Sequence, residues 1–131
     1  MQEAHGEYQI SVTGNIIHTK MMGSYNEEGA KAYTYEVMKL VKSFDGKPFG
    51  IIVDSSEVLG GTPEAYAALD KYNIWMEKNN MAAKALVFNA KIMATILKNQ
   101  SPSMRADNIG TFTNAETALE WLNKQMLLIE V

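Results

Sequence analysis

At 131 residues, 47% hydrophobic and 21% charged, the chain is long enough to build one full core and has a globular rather than a disordered balance. A net charge of −3 gives no basic footprint for nucleic acid, and the absence of cysteine removes disulfides, thiol catalysis and zinc–thiolate sites. The opening stretch Met1–Glu7 is polar and acidic, unlike a signal peptide, and no apolar run is long enough to span a bilayer. One domain over residues 1–131, in a bacterial-type cytoplasmic setting, is the expectation.

In chain order, Tyr8 to Val12 is rich in β-formers, and Ile16 to Met22 reads as a second strand. Thr13-Gly14-Asn15 between them makes a hairpin, closed by Gly23. Ser24-Tyr25-Asn26-Glu27 has capping-box spacing, with Ser24 as the predicted cap. The helix that follows carries Ala30, Tyr33, Val37, Leu40, Val41 and Phe44 on one face, and Asp45-Gly46-Lys47-Pro48 stops it.

Ile51-Ile52-Val53 has the length and β-branching of a buried central strand. A polar loop, Asp54-Ser55-Ser56-Glu57, is expected after it, and Gly60-Gly61 then lead into a helix from Pro63 to about Lys78. Thr62 is its predicted N-cap, and Pro63 occupies the first helical position, where a missing N–H costs nothing. Ala65, Ala68, Leu69, Tyr72, Trp75 and Met76 form the predicted buried stripe, and Asn79-Asn80 ends the helix.

Ala85 to Phe88 reads as a short apolar strand and Ala90 to Lys98 as a helix, broken at Ser101-Pro102-Ser103 before a possible helical turn through Met104-Arg105-Ala106. Ile109 to Phe112 is the last strand. A second capping box, Thr113 to Glu116, opens a helix with Ala115, Ala118, Leu119, Leu122 and Met126 on one face. Trp121 is expected to be buried as that helix's anchor, and the apolar tail Leu127 to Val131 to pack. The order is ββαβαβαβα. It implies right-handed crossovers and a mixed, mostly parallel sheet of about five strands, with helices on both faces.

This order resembles the anti-sigma-factor-antagonist (STAS) fold, and the chain is similar to the small bacterial SpoIIAA-like proteins of STAS/Sec14 type. The resemblance rests on the hairpin leading to Gly23-Ser24-Tyr25, on Ile51-Ile52-Val53-Asp54 with its glycine loop, and on Thr111 to Leu122, a phenylalanine strand followed by an Ala-Leu-x-Trp-Leu helix. It implies a non-enzymatic module that docks a protein partner through the loop and helix after the central strand. Phosphorylated STAS antagonists carry an Asp-Ser-Ser-Gly-like motif at the start of that helix. Here Asp54-Ser55-Ser56 comes earlier, and the switch position falls near Thr62 or Pro63, of which only Thr62 can accept a phosphate. The Sec14 relation implies an alternative, a carrier or sensor of a small apolar or lipid-like ligand.

The individual residues admit two readings each. Gly60-Gly61-Thr62 can cradle an anion or serve as a turn plus a cap. Asp54 can bind a ligand or accept from nearby N–H groups, and Ser55 and Ser56 can hold a ligand or form a turn. His5 and His18 have no second histidine or acidic cluster at ligand spacing, so neither a metal nor a cofactor is expected. His18 with Asp54 is the one conceivable acid–base couple. A hydrolase-type enzyme is the third reading, without a nucleophile elbow to support it. Lys20, Lys31, Lys39, Lys42 and Lys47 read as a solvated face. Met21, Met22, Met38, Met76, Met93 and Met126 read as core fillers or, with Tyr33, Tyr35 and Trp75, as an adaptable pocket or dimer surface. The hairpin, as a sheet edge, suggests a homodimer.

Overall fold

A computed structural model describes residues 3–130; Met1, Gln2 and Val131 lie outside the described residues. The elements are β1 (Glu7–Thr13), β2 (Ile16–Tyr25), α1 (Glu27–Ser43), β3 (Phe49–Gly61), α2 (Pro63–Lys78), β4 (Met81–Val87), α3 (Lys91–Gln100), a 3-10 turn (Pro102–Arg105), β5 (Ile109–Phe112) and α4 (Ala115–Glu130). They form one sheet in the order β1-β2-β3-β4-β5, with β1 antiparallel to β2 and the other pairs parallel.

The strands are added in one direction without reversal. Right-handed crossovers then deliver the connecting helices to the same face. Ala30, Tyr33, Val37 and Val41 of α1, with Ala65, Tyr72 and Met76 of α2, pack on Ile17, Met21, Ile51, Val53 and Leu86 of the sheet, and Met93, Ala94 and Leu97 of α3 join the margin of that core. Among the described residues, α4 alone takes the other face, where Ala118 and Leu122 meet Ile52, Ala83, Ala85 and Val87. Helix α4 lies against β3, β4 and β5. The expected cover on both faces is therefore partial: on β2 the half-buried Ile16, His18 and Lys20 alternate with the buried Ile17, Thr19 and Met21.

Several boundaries differ from the sequence reading. Strand β2 runs on through Ser24 and Tyr25, because the Tyr25 ring is buried and its hydroxyl donates to the Glu7 carbonyl. The cap of α1 is consequently Asn26, not Ser24; its Oδ1 accepts from Gly29 N at 2.9 Å. At α4 the cap is Asn114 rather than Thr113, accepting from Thr117 N at 3.1 Å. Strand β4 begins at Met81, four residues before the predicted start, and includes a buried Lys84. The tail does not pack: Leu127, Leu128 and Ile129 are exposed. Trp121 is half-buried at the side of α4, tilted on Phe112 at 5.4 Å.

Candidate functional site

The stretch Asp54–Glu57 is not a loop. Strand β3 continues through it to Gly61, and β2 keeps pace through two irregularities. Lys20 pairs with Asp54 but Met22 with Glu57, and Gly23 pairs with Val58 but Ser24 with Gly60. Each step inserts one extra residue in β3, the signature of a β-bulge. The polar sequence hides the strand because its outer half is paired but only part-buried. At the second bulge Gly60 takes φ +143°, a backbone region that L side chains rarely adopt, and Leu59 is turned out to 80% exposure.

Strand alternation and the first bulge divide the predicted site residues between two surroundings. Asp54 Oδ1 accepts from Ser56 N at 3.0 Å and from Ser56 Oγ at 2.6 Å, a closed local turn. Beside it the Glu57 carboxylate pairs with Lys20 and raises the pKa of that ammonium. Ser55, Gly60 and Gly61 instead line an apolar crevice of about 70 Å³, walled by Met21, Tyr25, Val58, Phe88 and Leu97 among others. The candidates thus comprise a polar cluster and a crevice lip rather than one loop.

Thr62 sits at the join of strand and helix. Its N–H donates to the Tyr25 carbonyl at 3.0 Å, which ends the β2–β3 pairing. Its Oγ1 accepts from Ala65 N at 3.1 Å, the predicted cap, with Pro63 in the first turn. Thr62, Pro63 and Glu64 are all exposed. Thr62 is therefore an exposed residue whose hydroxyl is already a structural acceptor.

The couple of His18 and Asp54 is not assembled. His18 stands opposite Ser11 on β1 and Ile52 on β3, while Lys20 is the residue opposite Asp54. The two side chains share no hydrogen bond, and Asp54 Oδ1 is engaged by Ser56 instead. Among the described residues, no group of three or more His, Cys, Asp or Glu side chains is placed to hold a metal ion, and no helix is long and apolar enough to cross a membrane.

Two features carry no clear signal in the sequence. Leu59 has none because only the bulge turns it outward. Lys84 has none because a lysine in an apolar run reads as a strand boundary. Its ammonium is buried under α2, bonded to Asn73 Oδ1 at 2.6 Å and 4.9 Å from the Tyr72 ring centre, and desolvation pulls its pKa down to about 7. The Tyr72 ring is in turn edge-on to that of Tyr33 at 6.2 Å, and the buried Tyr33 hydroxyl shares a hydrogen bond with Thr19 Oγ1 at 2.9 Å.

No family model matches the chain, and no curated protein matches it. Solved structures do. An uncharacterized protein of the DUF3478 family with a SpoIIAA-like fold, from Shewanella loihica PV-4, superposes with a TM-score of 0.69 at 15% identity, over 93% of this chain and 98% of that one. The anti-sigma factor antagonist SpoIIAA in its unphosphorylated form gives 0.64 at 12% identity, over 89% and 98%. An anti-sigma factor antagonist from Mycobacterium paratuberculosis gives 0.59 at 15%, over 91% and 95%. At such identities the likeness is one of fold. The hairpin-led mixed sheet, its one-directional strand order and its four helices are those of the SpoIIAA-like STAS fold.

Proposed function

We propose that the chain is a non-enzymatic regulatory module that docks a protein partner through the bulged end of β3 and the first turn of α2, with Thr62 as the residue at which a phosphate would be read. Leu59 carries this reading. It is a large apolar side chain, 80% exposed, held out on a paired strand three residues from an exposed capping threonine. A partner would find there an apolar anchor and a chargeable group side by side. Two of the fold neighbours are anti-sigma factor antagonists, which supports a protein partner.

Phosphate on Thr62 would add about −1.5 to −2 charges at a helix N-terminus, where the dipole and the free N–H groups favour it. The fold would survive, and the change would be read at the surface. Intact-mass analysis of protein from its native cells, with binding of a partner recovered from those cells to Leu59→Asp and Thr62→Ala variants, tests the reading. We expect Leu59→Asp to keep the fold and lose the partner. Thr62→Ala should cost about 1 kcal/mol of stability as a lost cap. Partner binding untouched by Leu59→Asp would overturn the docking surface, and no phosphorylated fraction under any growth condition would overturn the switch.

The crevice favours a second reading, a sensor of a small apolar ligand. Its roof is α3, a helix with no fully buried residue and with Ile92 and Ile96 exposed. Its present volume of about 70 Å³ is well below the roughly 300–1,000 Å³ of small-molecule pockets, so a lipid-like cargo requires α3 to lift. Native mass spectrometry of protein purified from its host reads this directly: a retained apolar ligand supports it, and bare protein rejects it.

A further inference from the structure

The outer edge of the sheet carries few of the devices that keep edge strands single; its one charge is Glu7, at the start of the strand. Strand β1 contains no proline, lysine or bulge, and its seven residues pair with β2 in unbroken register from Glu7↔Met22 to Thr13↔Ile16. Among the described residues, the preceding segment does not return along that edge. His5 N donates to Asn26 Oδ1 at 2.8 Å and Asn26 Nδ2 donates to the Glu3 carbonyl at 2.7 Å, which carries residues 3–5 towards the start of α1. The opposite edge, β5, is only four residues long.

We infer that β1 pairs antiparallel with β1 of a second copy, Ile10 opposite Ile10, joining two five-stranded sheets into one of ten strands. A closed dimer of identical chains has a two-fold axis, and such an axis in the seam makes the two edge strands antiparallel. Side chains that face each other across a seam must share a sheet face, so register can slip only in steps that preserve the alternation. Of the allowed registers, the one centred on Ile10 pairs all seven residues; a slip to either side leaves two unpaired on each strand.

That register is self-complementary. It sets Glu7 against Thr13, Tyr8 against Val12 and Gln9 against Ser11. Tyr8 and Val12 make an aromatic–β-branched pair, and the strand's one charge meets a neutral residue. Tyr8 is already held edge-on against Tyr33 at 5.6 Å between ring centres, so its orientation is set before association. Val12, 41% exposed, would be covered by it across the seam. The inference is independent of partner docking at β3 and α2, which uses other strands.

Gln9 and Ser11 are exposed and face away from the main core, so they can be changed without disturbing it. The double variant Gln9→Lys/Ser11→Lys places like charges opposite each other twice in the seam, and Gln9→Glu/Ser11→Glu does the same with the other sign. In sedimentation equilibrium over about 1–500 μM we expect wild type to reach the dimer mass and each double variant to dissociate at least about tenfold more readily. An equimolar mixture of the two variants should restore a mixed dimer, seen by native mass spectrometry. On wild type alone, hydrogen exchange at residues 7–13 should slow as concentration rises. A wild-type monomer throughout, unchanged dimerisation of both variants, or exchange at 7–13 independent of concentration would overturn the pairing.

Discussion

Lys84 is held far from its solution chemistry. Burial opposes its charge and outweighs the Glu77 carboxylate, which favours it; Asn73 Oδ1 and the Tyr72 ring are its direct contacts. Its pKa falls from 10.5 when free to about 7 in the fold. Between those values the unfolded chain binds more protons than the folded one, so stability rises with pH across that window, by up to about 1.4 kcal/mol per pH unit. Buried Tyr25, Tyr33 and Tyr72 have raised pKa values from desolvation. Their contribution has the opposite sign: it is present below about pH 10 and declines above it as the unfolded tyrosines ionise. The rise is therefore to be read between pH 7 and 10. Urea denaturation across that range should show it for wild type, and Lys84→Met should flatten it. An equally steep rise in the variant would mean that another group is responsible.

Among the elements, α4 shows how burial rather than size chooses an anchor. Trp121 is the largest side chain of the helix, yet it leans on Phe112 and Gly110 at the sheet margin. Ala118, Leu122 and Met126 face the strands and are buried. Leu122→Ala leaves a cavity against Ala83 and Ala85 and should cost about 2–5 kcal/mol. Trp121→Ala removes a half-buried ring that solvent can partly replace, and should fall below the roughly 3–5 kcal/mol of a buried tryptophan. Chemical denaturation of the two variants ranks them, and a larger loss for Trp121→Ala would place the anchor at the margin. Helix α3 is the opposite case. It packs through half-buried Met93, Ala94 and Leu97 only, and its cap position is Ala90, whose side chain cannot accept.

Across the whole molecule, the N-terminal segment ties the sheet edge to the first helix. Asn26 caps α1 and holds Glu3 and His5 through the same side-chain amide. The approach is so close that a Cβ at Gly29 would lie 1.8 Å from the His5 carbonyl oxygen. Gly29→Ala should therefore expel residues 3–6 while α1 itself, gaining a better helix former, persists. Limited proteolysis checks this: the variant should be trimmed near His5 faster than wild type, with the sheet intact. Unchanged cleavage would show that the segment is not held there. Among the described residues the same tie leaves the β1 edge open along its length, the condition for the seam between two copies.

The sequence by itself determined the order of elements, the bounds of α2 and β5, and the Thr62–Pro63 helix start. Each of these depends on residues a few positions apart, through helical spacing, strand composition or a cap reaching three residues ahead. The tertiary structure decided what depends on distant neighbours. Asn26 rather than Ser24 caps α1 because Glu7 and the core hold Tyr25 in the strand. Asp54 to Gly61 is a strand because β2 is long enough to pair with it, and Lys84 lies inside one because Asn73 on α2 receives its ammonium. The separation of Asp54 and Ser56 from Ser55, Gly60 and Gly61 follows from the same pairing. Strand alternation and two bulges point consecutive residues into different surroundings, and a partner strand, not local sequence, sets where a bulge falls.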